Sequence, residues 1–189
     1  MKENDFEIYL RKNSEADAEL AEFRGGFLNI AIDIESRLTE IISAWLVDQD
    51  MALADRLLAE VFGHRSITFF TKIDVADNLT KSLEDFPVAP RTLSLVRDTA
   101  ERRNTLAHLN QTTDLWNLEA GPVIKTKTSK GRVSKEYPLD HEIKLRWNAE
   151  AKEALDALKR ISRSLISERL KQLSEEIKRP IELNFDTVP

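Results

Sequence analysis

A chain of 189 residues is long enough to bury a hydrophobic core without disulfides or metals, so we expect a single domain spanning residues 1–189. Cysteine is absent, which excludes disulfide frameworks, thiolate zinc sites, iron–sulfur clusters and cysteine nucleophiles. The formal net charge of −5 disfavours binding of nucleic acid by bulk electrostatics, so any contact with RNA must be local.

The amino-terminal region and the apolar stretches set the expectations for localisation. Residues 1–12 alternate charged and apolar side chains and contain no basic stretch followed by a hydrophobic run, so we expect no signal peptide. The longest mostly apolar stretch, residues 41–47, is far shorter than a membrane span requires. The sequence therefore predicts a cytoplasmic protein without a membrane partner.

Apolar residues that recur every three or four positions predict a largely helical fold. The predicted helices cover about residues 14–48, 51–62, 66–83, 91–109 and 140–178. Ser14 and Asp140 are expected as the N-caps of the first and last helices, because their side-chain oxygens can accept from free backbone N–H groups. Gly63 is expected at the left-handed cap position that follows the second helix.

The segment before the last helix has a different pattern. Within residues 114–140, Val and Ile alternate with Lys and Thr, which predicts a β-hairpin over about residues 121–138. A two-stranded ribbon alone is marginally stable, so we expect it to pack on the helices or on a partner. The tail, residues 180–189, has no strong pattern. The predicted fold class is therefore all-α, a bundle of about five helices with a small inserted hairpin.

The fourth predicted helix contains the motif that indicates chemistry. Arg103 is followed directly by the polar Asn104 and, after three further residues, by His108, with Ala107 directly before the histidine. This arrangement resembles the signature of the HEPN family, helical bundles defined by an arginine, an adjacent polar residue and a downstream histidine. The resemblance covers about residues 23–109 and the last helix. It implies a dimeric ribonuclease whose active site is composed from both subunits.

Helical geometry agrees with a shared site. Asn104 and His108 are four residues apart and lie on one face, whereas Arg103 and His108 point about 140° apart. One helix therefore cannot bring Arg103 and His108 together by simple stacking. They converge if His108 lies in a fraying last turn, or if a two-fold axis brings a second copy of both residues to the same cleft. The family resemblance implies the second arrangement.

The same residue types suit RNA cleavage without a metal or cofactor. His108 can exchange protons near neutrality because the unperturbed pKa of histidine is about 6.5. Arg103 suits the phosphorane, and Asn104 can orient His108 or a phosphate oxygen. The expected products carry a 2′,3′-cyclic phosphate and a 5′-hydroxyl. No metal is expected, because the other two histidines have no partner at metal-ligand spacing.

Further charged residues are candidates for supporting the site. Glu35 lies in an otherwise apolar stretch and is either a solvated flank or the partner of Arg102 or Arg103, since a buried charge needs a partner. Arg102 is also a candidate for binding substrate. The basic residues of the hairpin region either form a solvated ribbon or contact RNA phosphates. These residues are Lys125, Lys127, Lys130 and Arg132.

The sequence thus leads to three hypotheses. The first is a homodimeric HEPN-like endoribonuclease that cleaves RNA, as the toxin of a toxin–antitoxin or phage-defence system with a cognate antitoxin or regulatory protein. The second is a non-catalytic helical regulator, similar to the mannitol-operon repressor group, that binds a partner protein. The third is a sensor that holds a nucleotide in the same cleft. Catalytically silent members of the family exist, so the fold alone does not decide between them.

Overall fold

The computed structural model describes residues 3–47, 51–64, 66–107, 123–127 and 133–178. Its helices are α1 (Glu3–Leu46), α2 (Met51–Arg56), α3 (Phe69–Ser82), α4 (Pro90–Ala107) and α5 (His141–Lys178), and a π-helical segment (Leu57–Phe62) continues α2. Two strands, β1 (Val123–Lys127) and β2 (Val133–Pro138), lie between α4 and α5. The described part of the chain is therefore predominantly helical, as the periodicity predicted.

The predicted N-caps have different outcomes. Asp140 caps α5, because its Oδ1 atom accepts a hydrogen bond from the backbone N–H of Ile143 at 2.8 Å. Ser14 lies inside α1 and its prediction as a cap is wrong. The residues before it are rich in good helix formers, and an Arg11–Glu15 ion pair of 3.9 Å spans the position. The helix therefore continues through a residue that, in other contexts, begins one.

The turn after the π-helical segment also differs from the prediction. Gly63 has φ −74° and ψ −12°, so it adopts the right-handed helical conformation and not the left-handed one. Its N–H donates to the carbonyl of Leu58 at 2.8 Å, five residues back. A Cβ at Gly63 would lie 2.9 Å from the carbonyl oxygen of Ala59 and 3.1 Å from that of Leu58. Glycine is required here because the wide turn brings two carbonyl oxygens close to the position that a Cβ would occupy. Its φ is negative, so a left-handed conformation is not the reason.

The core lies between the long helices, and α1 contributes the largest share of it. The largest fully buried side chains on the long helices are Phe27, Ile34, Leu38, Ile41, Ile42, Ile73, Val96, Leu106 and Leu158. The ring of Trp45 in α1 meets the ring of Phe86, just before α4, at 5.8 Å. Arg24, in the middle of α1, contacts Ala107 at the end of α4. α4 therefore runs antiparallel to α1.

α5 contacts the same central part of α1 through an aromatic pair and an ion pair. The rings of Phe27 and Trp147 are 6.1 Å apart, and Nζ of Lys144 lies 2.8 Å from Oε1 of Glu19. One end of the bundle is thus formed by the middle of α1, the C-terminal end of α4 and the N-terminal part of α5. Among the described residues, no helix combines the length and the apolar character needed to cross a membrane.

The strands β1 and β2 pair antiparallel. The register runs from Val123 opposite Pro138 to Lys127 opposite Val133, with an irregularity between Thr126 and Lys127. The residues that connect the two strands, 128–132, lie outside the described part of the chain.

Candidate functional site

The predicted site residues lie at the C-terminal end of α4. Arg102, Arg103 and Asn104 belong to its last two turns, and α4 ends at Ala107. His108, the predicted catalytic histidine, follows directly in the sequence and lies outside the described residues. The structure therefore places Arg103 and Asn104 and leaves the position of His108 as a prediction.

Arg102 is engaged within the protomer. Its Nη1 atom lies 2.5 Å from Oε2 of Glu150 in α5, and its Cζ atom lies 5.2 Å from the centre of the Trp147 ring. The side chains of Arg102 and Glu150 are 18% and 30% exposed. Both contacting atoms are buried and have no hydrogen bond of good angular geometry, so the pair is held by charge more than by an aligned hydrogen bond. The stacked ring adds a cation–π attraction.

Arg103 has a different environment, although it is the next residue. It is half-buried, and within the described part of the chain its side chain forms neither an ion pair nor a hydrogen bond. Asn104 is exposed beside it. A guanidinium is always charged and carries five N–H donors. Arg103 is therefore free of described protein partners and able to bind an anion bidentately.

The end of α4 is also held from α1. Nη2 of Arg24 donates to the carbonyl oxygen of Ala107 at 3.1 Å, across 83 positions of sequence. The last four carbonyls of a helix lack partners within the helix, and a positive charge near them is favourable. The last turn of α4 contains no basic residue of its own. Arg24 supplies the missing cation from a neighbouring helix.

The predicted pairing of Glu35 with Arg102 or Arg103 is wrong. Oε1 of Glu35 accepts a hydrogen bond from Nζ of Lys72 in α3 at 2.8 Å, and the two side chains are 21% and 10% exposed. Glu35 therefore does have a charged partner, as a largely buried carboxylate needs, but the partner comes from α3. The side of α1 that carries Glu35 faces α3, while Arg102 faces α5.

Sequence reasoning missed three residues of this region as site residues: Arg24, Trp147 and Glu150. The sequence carries a signal only at Trp147, a large aromatic residue that follows Ile143 and precedes Ala151 by four positions, a spacing that favours a buried or interface position. Arg24 and Glu150 have no local signature, because their partners are 83 and 48 positions away. The ion pair and the capping contact depend on how the helices pack.

The remaining predicted binding residues lie in the strand region. Lys125 and Lys127 are on β1, while Lys130 and Arg132 lie outside the described residues. Within the described ranges, no group of three or more His, Asp or Glu side chains is arranged to hold a metal ion.

Comparisons with protein-family models, with curated proteins and with solved structures give no match to this chain.

Proposed function

We propose that this protein is a metal-independent endoribonuclease of HEPN type that acts as a homodimer. The observation that carries the proposal is the contrast between the two adjacent arginines of α4. Arg102 is neutralised by Glu150, whereas Arg103 has no described partner and is partly open to solvent. An unpaired guanidinium in the position that the motif requires suits recognition of a phosphate.

The chemistry follows from the residue types of the motif. In this mechanism His108 removes the proton from the ribose 2′-hydroxyl, and the 2′-oxygen attacks the adjacent phosphorus. Arg103 stabilises the charge that develops on the phosphorane oxygens. The bond from phosphorus to the 5′-oxygen breaks, and a protonated histidine donates a proton to that oxygen. The products are a 2′,3′-cyclic phosphate and a 5′-hydroxyl.

The proposal includes a dimer because Arg103 and His108 would point in different directions on a single helix. Arg103 and Ala107 are four residues apart and share a face, so a helical continuation would turn His108 away from Arg103. A two-fold axis near the end of α4 would place Arg103 of one subunit beside His108 of the other. Lys125, Lys127, Lys130 and Arg132 would contact phosphates along the substrate. A toxin or phage-defence role, with an antitoxin as partner, is the biological setting that we propose for such an activity.

The test is cleavage of a mixed RNA pool in EDTA by the wild-type protein and by Arg103→Ala, His108→Ala and Arg91→Ala variants. Arg91 is the matched control, because it lies on the same helix, is exposed and pairs with Glu153 far from the site. We expect the first two substitutions to lower the cleavage rate by about a hundredfold or more, and Arg91→Ala to leave it unchanged.

Two results would refute the proposal. One is cleavage by His108→Ala at the wild-type rate, which would indicate a contaminating nuclease. The other is the absence of cleavage by every preparation on every RNA, which would favour the non-catalytic alternatives. Binding assays with nucleotides, and a search for a protein partner, would then separate the sensor from the regulator.

A further inference from the structure

We infer that Arg24 is a positioning residue of the proposed ribonuclease site, and the inference rests on the proposed function. Arg24 belongs to α1 and lies outside the HEPN-like motif, yet its guanidinium donates to the carbonyl of Ala107, directly before His108. By fixing the end of α4, Arg24 orients the turn that carries Arg103 and leads into His108.

The last turns of α4 are held from two sides. On one side, Arg102 is bound to Glu150 and stacked on Trp147, both from α5. On the other side, Arg24 reaches the final carbonyl from α1. Arg103 lies between these two attachments in sequence, and its side chain forms no ion pair or hydrogen bond within the described chain. Because both attachments restrict the movement of this turn, the backbone that carries the unpaired Arg103 side chain is held in place, as a preorganised catalytic group requires.

The two attachments constrain different parts of the turn. The Arg102 contacts fix the helix about one and a half turns before its end, and the core residue Leu106 is fully buried close by. Without Arg24, the carbonyl of Ala107 would have no described partner, and the last residues of a helix without such a partner fray. Fraying at this position loosens Ala107, which precedes His108 directly in the sequence, whereas Arg103 lies a full turn earlier in α4. The expected consequence is poorer alignment of the proton-transfer group and little change in phosphate binding.

A positioning role is distinguishable from direct binding of substrate by Arg24. Loss of a phosphate contact would raise KM, whereas loss of alignment lowers kcat and leaves KM nearly constant. Lysine at this position keeps the charge and can still donate to one carbonyl. The kcat and the amide protection of Arg24→Lys should therefore be much closer to wild type than those of Arg24→Gln.

The experiment combines amide hydrogen exchange with kinetics on the full chain. Arg24→Gln, Arg24→Lys and wild type are compared with Arg37→Gln, a control on the same helix whose arginine pairs locally with Glu40. In Arg24→Gln we expect exchange of the amides of residues 103–107 to become several-fold faster, kcat to fall about tenfold, and KM to stay within about twofold. Arg37→Gln should behave as wild type in all three measurements.

Each outcome decides the inference. Wild-type exchange and wild-type kcat in Arg24→Gln would overturn it while leaving the proposed function intact, and so would a rise in KM at constant kcat. Faster exchange throughout the protein would show a general loss of stability and would also overturn it. If the wild-type protein cleaves no RNA, the proposed function fails and the catalytic role of Arg24 fails with it, while the exchange data still report whether Arg24 holds the end of α4.

Discussion

The Glu35–Lys72 pair provides a quantitative prediction about what holds α1 to α3. Replacing Lys72 by Met removes a charged hydrogen bond of 2.8 Å and leaves a carboxylate that is only 21% exposed without its partner. A hydrogen bond to a charged group contributes about 1.5 to 3 kcal/mol, and an unpaired, partly buried charge adds a desolvation cost. We therefore expect Lys72→Met to lower the free energy of unfolding by about 2 kcal/mol, which corresponds to roughly 4 to 8 °C in Tm for a chain of this length.

The matched control lies on the same helix. Lys81 pairs with Asp77 at 2.6 Å, a shorter distance, but these side chains are 69% and 36% exposed. An ion pair in that environment is screened by water and contributes less than about 1 kcal/mol. Lys81→Met should therefore lower the free energy of unfolding much less than Lys72→Met, although the two distances alone predict the reverse order.

The assay is equilibrium unfolding in urea of wild type, Glu35→Gln, Lys72→Met, the double variant of these two, and the control Lys81→Met. The double variant should lose less than the sum of the two single losses, because it leaves no unpaired charge, with a coupling energy of about 1 kcal/mol or more. Since Glu35 contacts neither arginine of the motif, RNA cleavage by folded Glu35→Gln should equal that of wild type. Equal costs for Lys72→Met and Lys81→Met would refute the reasoning from burial, and reduced cleavage by stable Glu35→Gln would refute the separation of this pair from the site.

Two glycines and the Glu19–Lys144 pair allow further tests of stability. Gly63→Ala should destabilise the protein by about 1 to 3 kcal/mol, because its Cβ would lie 2.9 Å from the carbonyl oxygen of Ala59, whereas Gly26→Ala, where a Cβ meets nothing within 4 Å, should stabilise α1 by about 0.5 to 1 kcal/mol. Thermal unfolding of the two variants checks this contrast, and the opposite order would contradict it. The hydrogen bond and the charge of Lys144 lower the pKa of Glu19 below its ordinary value of 4.5, so the stabilisation is present above that value and is lost as the pH falls through the lowered pKa. Urea titrations should show a stability difference between wild type and Glu19→Gln at pH 7 that disappears in strong acid, and a difference that persists there would contradict the assignment.

Most of the helical architecture could be predicted because the apolar periodicity records which face each helix buries. On α1, the spacing of three, four and seven positions between Phe27, Ile34, Leu38 and Ile41 puts these residues on one helical face, and all four are buried. Helix ends were less predictable. Ser14 and Asp140 are both good capping residues, and only the second acts as a cap, because the residues before Ser14 favour continuation of the helix. A cap residue allows a helix to begin and does not force it to begin.

The turn at Gly63 illustrates a different limit. The sequence indicated a glycine after a helix, which commonly means a left-handed conformation. The structure shows a right-handed glycine behind a π-helical segment, where the conflict is steric. A change from α-helical to π-helical hydrogen bonding has no periodic apolar signature in six residues. The position of the glycine was therefore predictable, while its physical reason was not.

For the candidate site as well, the sequence predicts the position but not the roles of the individual residues. The motif identified the end of α4, but it could not assign different roles to Arg102 and Arg103, which are identical residues one position apart. Their difference is a rotation of 100° about the helix axis, which directs Arg102 to Glu150 and Trp147 of α5 and leaves Arg103 without a described partner. The supporting residues come from α1 and α5, so the local sequence contains no record of them. Since Arg102 is neutralised within the protomer and Arg24 is committed to the carbonyl of Ala107, Arg103 is the arginine of this turn whose charge remains for a ligand. Among the described residues at the end of α4, the packing of three helices thus engages Arg102 and leaves the adjacent Arg103 without a protein partner.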